Sequence, residues 1–513
     1  MASRLSHYGR GNSFHSVNFT AHKNASAAAL IFSFLYTCLF HVYMILHIPD
    51  PIFESDSTGY LQGTLSYLNG GRFSIPLSRG LGYPLLLWLN LRWTGFHGLL
   101  WVQHGLWIAA AIATCALFLA HQPHRYAWAA ILLFIVACSP RAAVLAHTAL
   151  SDSSYAVWQM MFCYFLLANP TRTATGNGLL GGIFGAFAIN TRPVGKSIIL
   201  PIIAMASSRH VESRLRKQAI WATVGLVIAS APFLIYNRKD RGFWGFEKFG
   251  DFYLAANAIQ HLTPEEITNP DVQRLLTPFY RPELASQFQD LNWIWHNPAG
   301  PIAALQKDPG TTQRLPSIYH ALIFRAVSKH PLRYARDLLH TAAKFILRGT
   351  ERQGSVPTKA LTIQRGLLTF YGFTNEFPSA RQLLMFRPYD AQRYFTTLSQ
   401  TDVAPFDQGP WFLMPIWYLS KIFILLSPGG ILALIWLCMR SWEIPLVQAS
   451  FYLIVGQILM IVAGGTFVYR YAIPLEPLYA LLIIFALSQL RLGLRNNPLK
   501  FGQSSKVTGR PGE

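Results

Sequence analysis

The sequence predicts an all-α, polytopic membrane protein. Of its 513 residues, 52% are hydrophobic and only 13% are charged. Several apolar runs are long enough to cross a bilayer. The formal charge of +20 comes mainly from Lys and Arg in the tails and in short connections between these runs. This placement is typical of residues that orient spans in a bilayer, so we expect membrane lipids and no nucleic acid as partners.

The hydropathy pattern predicts about ten spans. They cover residues 27–48, 97–120, 125–139, 153–169, 177–191, 195–208, 219–237, 412–439, 445–464 and 471–490. The runs between 125 and 208 are short and interrupted by Gly or Pro, so the number of spans there is open by a pair. The first run lacks a small-residue cleavage site and is therefore interpreted as an anchor.

These runs divide the chain into five parts. They are a cytoplasmic tail (1–26), a membrane module (27–237) with a first outer loop at 49–96, a helical extracytoplasmic insertion (238–410), a second set of spans (411–490) and a basic tail (491–513). The excess of Lys and Arg places both termini and the turn from Arg209 to Lys217 in the cytoplasm. The insertion is too long for a simple loop and is expected to form a lid or a binding platform.

Helix starts are visible inside the insertion. Thr263–Glu266 has the pattern of a capping box, and Asn269–Pro270 has that of a helix start. Farther along, apolar residues at helical spacing predict a helix whose opposite face is basic. The apolar positions are Leu332, Ala335, Leu339, Ala342 and Ile346, and the basic ones are Arg333, Arg336, His340 and Lys344. This helix should either lie on the membrane surface or pack on the core of the insertion.

Four polar stretches fall at the outer ends of separate spans. Asp56 follows the first span, Asp152 precedes the fourth, Arg192 lies between the fifth and sixth, and Arg470 precedes the last. Charged groups in such positions are candidates for function and could converge on one site. Each has a simpler alternative: Asp56 could only cap a short amphipathic helix, and the arginines could only reach for headgroups.

No familiar motif for a cofactor is present. The chain lacks a Gly-rich phosphate loop, a Rossmann fingerprint and a His-Glu-x-x-His pair. All five cysteines lie in apolar runs, and His121 and His124 have no carboxylate or thiol near them in sequence. We expect no cofactor; a divalent metal is possible, but the sequence gives no support for one.

The order of the outer motifs resembles that of integral-membrane glycosyltransferases of the GT-C fold. The matching stretches are Asp56-Ser57-x-x-Tyr60 with a short helix, Arg79–Leu87, Leu150–Asp152, Thr191–Pro193 and Arg470–Pro474. The resemblance is to the polyprenyl-phosphate-dependent branch, which includes protein O-mannosyltransferases and aminoarabinose transferases. It implies a GT-C-like bundle of about ten spans with juxtamembrane helices in the first outer loop.

The resemblance also implies roles for single residues. Asp56 matches the acidic catalytic base and Asp152 the second acidic residue of the site. The phosphate of the donor would be held by Arg192, Arg470 and Arg79. Substrates would be positioned by Glu54, Tyr60, Tyr83 and Tyr471. Several members carry Asp-Glu where this chain has Asp56-Ser57, so the second carboxylate of that pair is missing here.

The chemistry expected is transfer of a sugar from a polyprenyl-phosphate donor to a glycan, protein or lipid, with inversion at the anomeric carbon. The compact chain favours a bacterial inner membrane, with the site facing the periplasm and a role in the cell envelope. Two other functions remain open. One is a glycan polymerase or ligase that uses a pyrophosphate-linked donor, for which His261, His296 and His320 would be candidates; the other is a transporter or lipid flippase.

Overall fold

Every regular element in the described part of the chain is a helix. The computed structural model describes residues 13–47, 51, 55–68, 79–168, 171, 173–208, 211–247, 250–288, 293–294, 297–312, 314–348, 425–463 and 469–496. No strand occurs in these ranges. The prediction of an all-α protein is confirmed for them.

The described residues of the N-terminal half form ten α-helices. They are α1 (Ser13–His47), α2 (Ser55–Leu68), α3 (Gly82–Trp93), α4 (Gly95–His121), α5 (Tyr126–Ala137), α6 (Pro140–His147), α7 (Asp152–Leu167), α8 (Ala174–Thr191), α9 (Ile199–Ser207) and α10 (Ser213–Arg241). A 3₁₀ segment, Pro193–Ile198, joins α8 to α9. Since Pro at the first position of Pro193–Ile198 cannot continue α8, the chain turns there.

The rest of the described chain is also helical. It contains α11 (Gly250–Ile259), α12 (Pro270–Leu276), α13 (Ala285–Phe288), α14 (Pro301–Lys307), α15 (Pro309–Thr312), α16 (Leu315–Lys329), α17 (Pro331–Arg348), α18 (Leu426–Ser441), α19 (Pro445–Ala463) and α20 (Glu476–Asn496). Further 3₁₀ segments are Pro264–Glu266, Thr277–Tyr280, Pro282–Leu284 and Tyr469–Leu475, the last of which leads into α20.

Five described helices are long and apolar enough to cross a membrane. The apolar stretches are Asn24–Leu46, Gly95–His121, Ser213–Arg241, Pro445–Val462 and Ala472–Leu490. Three shorter apolar stretches, Tyr126–Ala137, Pro193–Ser207 and Leu426–Ser441, accompany them. Each of the ten predicted spans overlaps one of the helices, but α7 and α8 fall outside both groups. Residues 412–424 of the predicted eighth span lie outside the described residues.

The outer surfaces of α1 and α10 are apolar. Phe32 and Ile31 on α1, and Ile228 and Val227 on α10, are largely exposed. The bundle's main core lies inside, where α4, α5, α7, α18, α19 and α20 pack together. A helix that is apolar on its outer side as well as its inner side fits a lipid environment.

Small residues bring α8 and α10 into close contact. A Cβ atom on Gly182 would lie 2.6 Å from the backbone nitrogen of Leu226, and one on Gly178 would lie 2.6 Å from Cβ of Trp221. Glycine at these positions therefore lets the two backbones approach, as in other membrane helix pairs. The glycines that interrupt the apolar run of α8 in the sequence are therefore packing residues.

The insertion has its own core, formed by α11, α12, α14 and α16 with Tyr334 of α17. Both predicted helix starts are confirmed. The Glu266 carboxylate accepts a hydrogen bond from the backbone N–H of Thr263 at 2.9 Å, and the Asn269 side chain accepts from the N–H groups of Asp271 and Val272. His330, at the bend between α16 and α17, also contacts Glu266 at 2.9 Å.

Candidate active site

Helix ends from distant parts of the chain meet at one end of the bundle. Tyr60 of α2 lies with its hydroxyl 2.9 Å from Oγ of Ser151, which immediately precedes α7. Arg79 donates from Nη1 to the same tyrosine hydroxyl at 3.3 Å, and its guanidinium lies 4.7 Å from the centre of the Tyr60 ring. The tyrosine thus joins a cation from the segment before α3 to the first residues of α7.

Asp152 and Arg192 form a buried ion pair beside this contact. Nη1 of Arg192 donates to Oδ1 of Asp152, and both side chains are almost completely buried. Asp152 occupies the first turn of α7, whereas Arg192 directly follows the last turn of α8. The two charges therefore also complement the dipoles of these helices.

Helix α4 fixes the segment before Asp152 through hydrogen bonds to its backbone. The Gln103 amide nitrogen donates to the carbonyl oxygens of Ala146 and Thr148 at 2.9 and 2.8 Å. Tyr83 donates its hydroxyl to Oε1 of Gln103 at 2.5 Å, and the Tyr83 ring packs edge-on against Tyr60, with 5.0 Å between ring centres. Tyr83 is completely buried and is therefore placed to support the site.

Two glycines allow Arg79 to approach the end of α8. A Cβ atom on Gly80 would lie 2.8 Å from the carbonyl carbon of Asn190, and one on Gly82 would lie 2.8 Å from Oγ1 of Thr191. No larger residue fits there unless the backbone shifts. The Arg79-Gly80-Leu81-Gly82 stretch is thus shaped to lie against the residues that lead into Arg192.

Further charged residues surround the cluster. Arg241, at the end of α10, donates to the carbonyl oxygen of Arg79 at 3.2 Å. Lys196 is 2.7 Å from Oε1 of Glu247, whose side chain is almost fully buried. Sequence reasoning did not single out Arg241, Glu247 or Gln103, since none of them belongs to a recognisable motif. The clustering of Arg238, Lys239 and Arg241 at the end of a span was the one available signal.

Three buried histidines form a chain next to the site. His41 of α1 and His104 of α4 are 2.6 Å apart between their Nδ1 atoms, and Nε2 of His104 is 3.0 Å from Nδ1 of His147. Nε2 of His41 is 2.9 Å from the carbonyl oxygen of Ala137, which can only accept. With all three rings neutral, His147 therefore donates to His104 and His104 donates to His41. These histidine contacts link α1, α4 and α6, and no pattern in the sequence predicts them.

The remaining predicted residues are only partly described. Asp56 belongs to the first turn of α2, one helical turn before Tyr60, and its side chain lies outside the described part. Arg470 and Tyr471 belong to the 3₁₀ segment before α20, and their side chains are likewise not described. Ile473 of that segment packs in one cluster with Tyr60 and Tyr83. Glu54 lies outside the described residues.

Within the described ranges, no group of three or more His, Cys, Asp or Glu side chains is arranged to hold a metal ion. The carboxylate of Asp152 is committed to Arg192, and His104 already uses both ring nitrogens.

No family model matches the chain, and no curated protein is significantly similar to it in sequence. Among solved structures, the oligosaccharyltransferase of Archaeoglobus fulgidus, crystallised with zinc and sulfate, aligns with a TM-score of 0.43 at 12% identity. The alignment covers 91% of this chain and 50% of that protein, so the chain spans about half the length of this neighbour. A likeness of this degree carries no argument about activity, substrate or metal.

Proposed function

We propose that the protein is a membrane glycosyltransferase that moves a sugar from a polyprenyl-phosphate donor to a hydroxyl or amine of a glycan, protein or lipid acceptor. The observation that carries the proposal is the convergence of Tyr60, Arg79, Asp152 and Arg192 at one end of the bundle. Asp56 lies on the same helix as Tyr60, one turn away. These residues come from separate segments of the chain, and a capping or lipid-anchoring role does not require them to meet.

The reaction needs few groups from the protein. The acceptor oxygen or nitrogen attacks the anomeric carbon while the bond from that carbon to the phosphate oxygen breaks. The acceptor proton passes to Asp56, and the polyprenyl phosphate leaves as an anion. Direct displacement inverts the anomeric centre.

The cations of the site would stabilise that leaving phosphate. Arg192, Arg79 and Arg470 are the proposed contacts, because a planar guanidinium can donate several hydrogen bonds to phosphate oxygens. Arg192 would hold Asp152 with one nitrogen and use other donors for the phosphate. Glu54, Tyr60, Tyr83 and Tyr471 would shape the sugar pocket, with Tyr83 acting through Tyr60 and Gln103.

The spans would hold the polyprenyl chain, and the insertion would bind or cover the acceptor. Within this proposal the protein belongs to the polyprenyl-phosphate branch of GT-C enzymes, in a bacterial inner membrane, with the site facing the periplasm. A glycan polymerase or ligase would instead consume a pyrophosphate-linked donor, and a flippase would move lipid without breaking the sugar bond. Of the histidines considered for a ligase, His261 is buried against Tyr334.

The test is turnover of a monophosphate-linked sugar by the purified protein and by an Asp56→Asn variant. Asn caps a helix about as well as Asp but cannot accept a proton. The variant should therefore fold and bind donor, while turnover falls by about two to four orders of magnitude. Normal turnover by folded Asp56→Asn protein would remove Asp56 as the base, and turnover of only a pyrophosphate-linked donor would favour the polymerase or ligase.

A further inference from the structure

Helix α17 presents three different faces. One face packs on the protein through Tyr334, Leu338 and Phe345. The next face is apolar but exposed: Leu332 is 84% and Leu339 71% exposed. These two residues are seven apart and therefore lie on the same side of the helix.

The third face is basic. Arg333, Arg336, His340 and Lys344 follow the exposed apolar stripe around the helix. The acidic Asp337 lies toward the insertion, 3.6 Å from Nε2 of His261. The charge next to the exposed stripe is thus of one sign.

The C-terminal part of α17 is attached to the membrane bundle. Phe345 is completely buried in a cluster with Ile461 of α19 and Ala472 of the 3₁₀ segment before α20. Ile461 lies at the C-terminal end of the apolar stretch Pro445–Val462, which is long enough to span a bilayer. This contact places the C-terminal part of α17 beside the C-terminal end of that apolar stretch.

From this geometry we infer that α17 is a lipid-binding helix that lies in the leaflet on the side of the insertion. Leu332 and Leu339 enter the acyl region, and the basic face meets anionic headgroups. A bilayer is the favoured occupant because α17 is continuous with the lipid-facing bundle and the charged residues next to its exposed apolar stripe are basic. Such a helix is expected to bury its apolar side about 5–10 Å into the boundary between headgroups and acyl chains. The inference does not depend on the proposed enzymatic function.

The depth of two neighbouring positions tests the inference. Nitroxide labels at Leu339→Cys and His340→Cys, in full-length protein without native thiols and reconstituted in nanodiscs with phosphatidylglycerol, are compared by power saturation. We expect the label at 339 to be reached by oxygen but protected from a water-soluble nickel reagent, at a depth of about 5–10 Å. The label at 340, and one at the exposed Ser286 of the insertion, should be reached by the nickel reagent.

Two results would overturn the inference. Equal accessibility of the labels at 339 and 340 to the nickel reagent would show that the exposed apolar stripe lies in water. Protection of 339 from both reagents would show that protein covers it, either another part of the chain or a second copy.

The basic face has its own test. The fraction of spin-labelled phosphatidylglycerol held at the protein surface should exceed that of phosphatidylcholine. It should fall in Arg333→Gln/Arg336→Gln/Lys344→Gln protein. The matched control, Arg274→Gln/Arg281→Gln/Lys307→Gln, makes the same charge change elsewhere on the insertion. An equal loss in both variants would show general charge attraction and overturn the anionic-lipid assignment.

Discussion

At the scale of single residues, the buried pair of Asp152 and Arg192 links two helix ends. A buried carboxylate and guanidinium lose their hydration, and their mutual attraction offsets that loss only while both are present. The pair therefore fixes the start of α7 relative to the end of α8. Tyr60 contacts Ser151, which directly precedes Asp152, and Arg79 contacts Tyr60. Loss of the ion pair would therefore displace Tyr60 and Arg79 as well.

Removing one partner should therefore be more harmful than removing both charges. Arg192→Ala leaves Asp152 buried without a counter-charge and should lower the free energy of unfolding by about 3–5 kcal/mol. Arg192→Lys should cost less, because it keeps the charge but loses the planar donors. The measurement is unfolding in detergent, with Arg238→Ala at the exposed end of α10 as the control.

The double variant Asp152→Asn/Arg192→Gln completes this comparison. It removes both charges and should be more stable than Arg192→Ala. If Arg192→Ala unfolds like Arg238→Ala, the pair does not stabilise the fold, and its role is confined to the substrate.

At the scale of elements, the contact between α8 and α10 depends on glycine. Gly182→Ala should force these helices apart, because its Cβ atom would overlap the backbone of α10 near Leu226. Overpacking of this kind costs about 1–3 kcal/mol. Gly105→Ala on α4 is the matched control, since a Cβ atom there meets nothing within 4 Å. Unfolding in detergent would measure both, and equal stability of the two variants would refute close packing at Gly182.

The insertion should loosen in acid. Hydrogen bonds from His330 and from the Thr263 backbone lower the pKa of Glu266, so its contribution to stability is complete above the usual carboxyl range and is lost as pH falls through the lowered value. Burial lowers the pKa of His261 below 6.5, despite the opposing Asp337 carboxylate. As the pH falls below 6.5, His261 is therefore protonated more readily in the unfolded chain than in the folded insertion. This difference also reduces stability.

Hydrogen exchange of α11, α12 and α16 between pH 7.5 and 4.5, corrected for intrinsic rates, would measure this loosening. Glu266→Gln should reduce the change at the acid end, whereas Glu265→Gln removes the same charge beside it and should leave the change intact. Identical profiles for both variants would contradict the role of the Glu266 hydrogen bonds.

At the scale of the whole molecule, the proposed site requires the insertion to lie on the outer side of the membrane. The Lys and Arg distribution predicts this arrangement. Ser213, at the start of α10, and Ser286, in α13, are both exposed and suit single-cysteine labelling.

With the native thiols removed, Ser286→Cys should react with an impermeant reagent added to intact cells, and Ser213→Cys only after lysis. This follows because the bilayer separates the two positions in the predicted topology. Labelling of position 213 from outside, or protection of position 286, would reverse the orientation and exclude an outward-facing site.

Local patterns were enough to predict the apolar helices. Each of the ten apolar runs overlaps a helix, and the starts at Thr263 and Asn269 form as predicted, because run length and capping depend on neighbouring residues. From the sequence, α17 should lie either on the membrane surface or on the core of the insertion. Its spacing specifies a two-sided helix but not what lies against each side. The sequence also placed Asp152 and Arg192 at the outer ends of spans, where they could converge, but it did not specify which side chains contact each other.

The tertiary structure determined which of these residues contact each other. Asp152 and Arg192 are 40 residues apart, and His104 lies 63 residues from His41 and 43 from His147. No local pattern encodes such contacts, because they depend on how helices pack against one another and on where glycine permits close approach. The sequence by itself determined an all-α chain with apolar spans and charged helix ends; only packing decided that Tyr60, Arg79, Asp152 and Arg192 share one site, and that Leu332 and Leu339 face away from the protein.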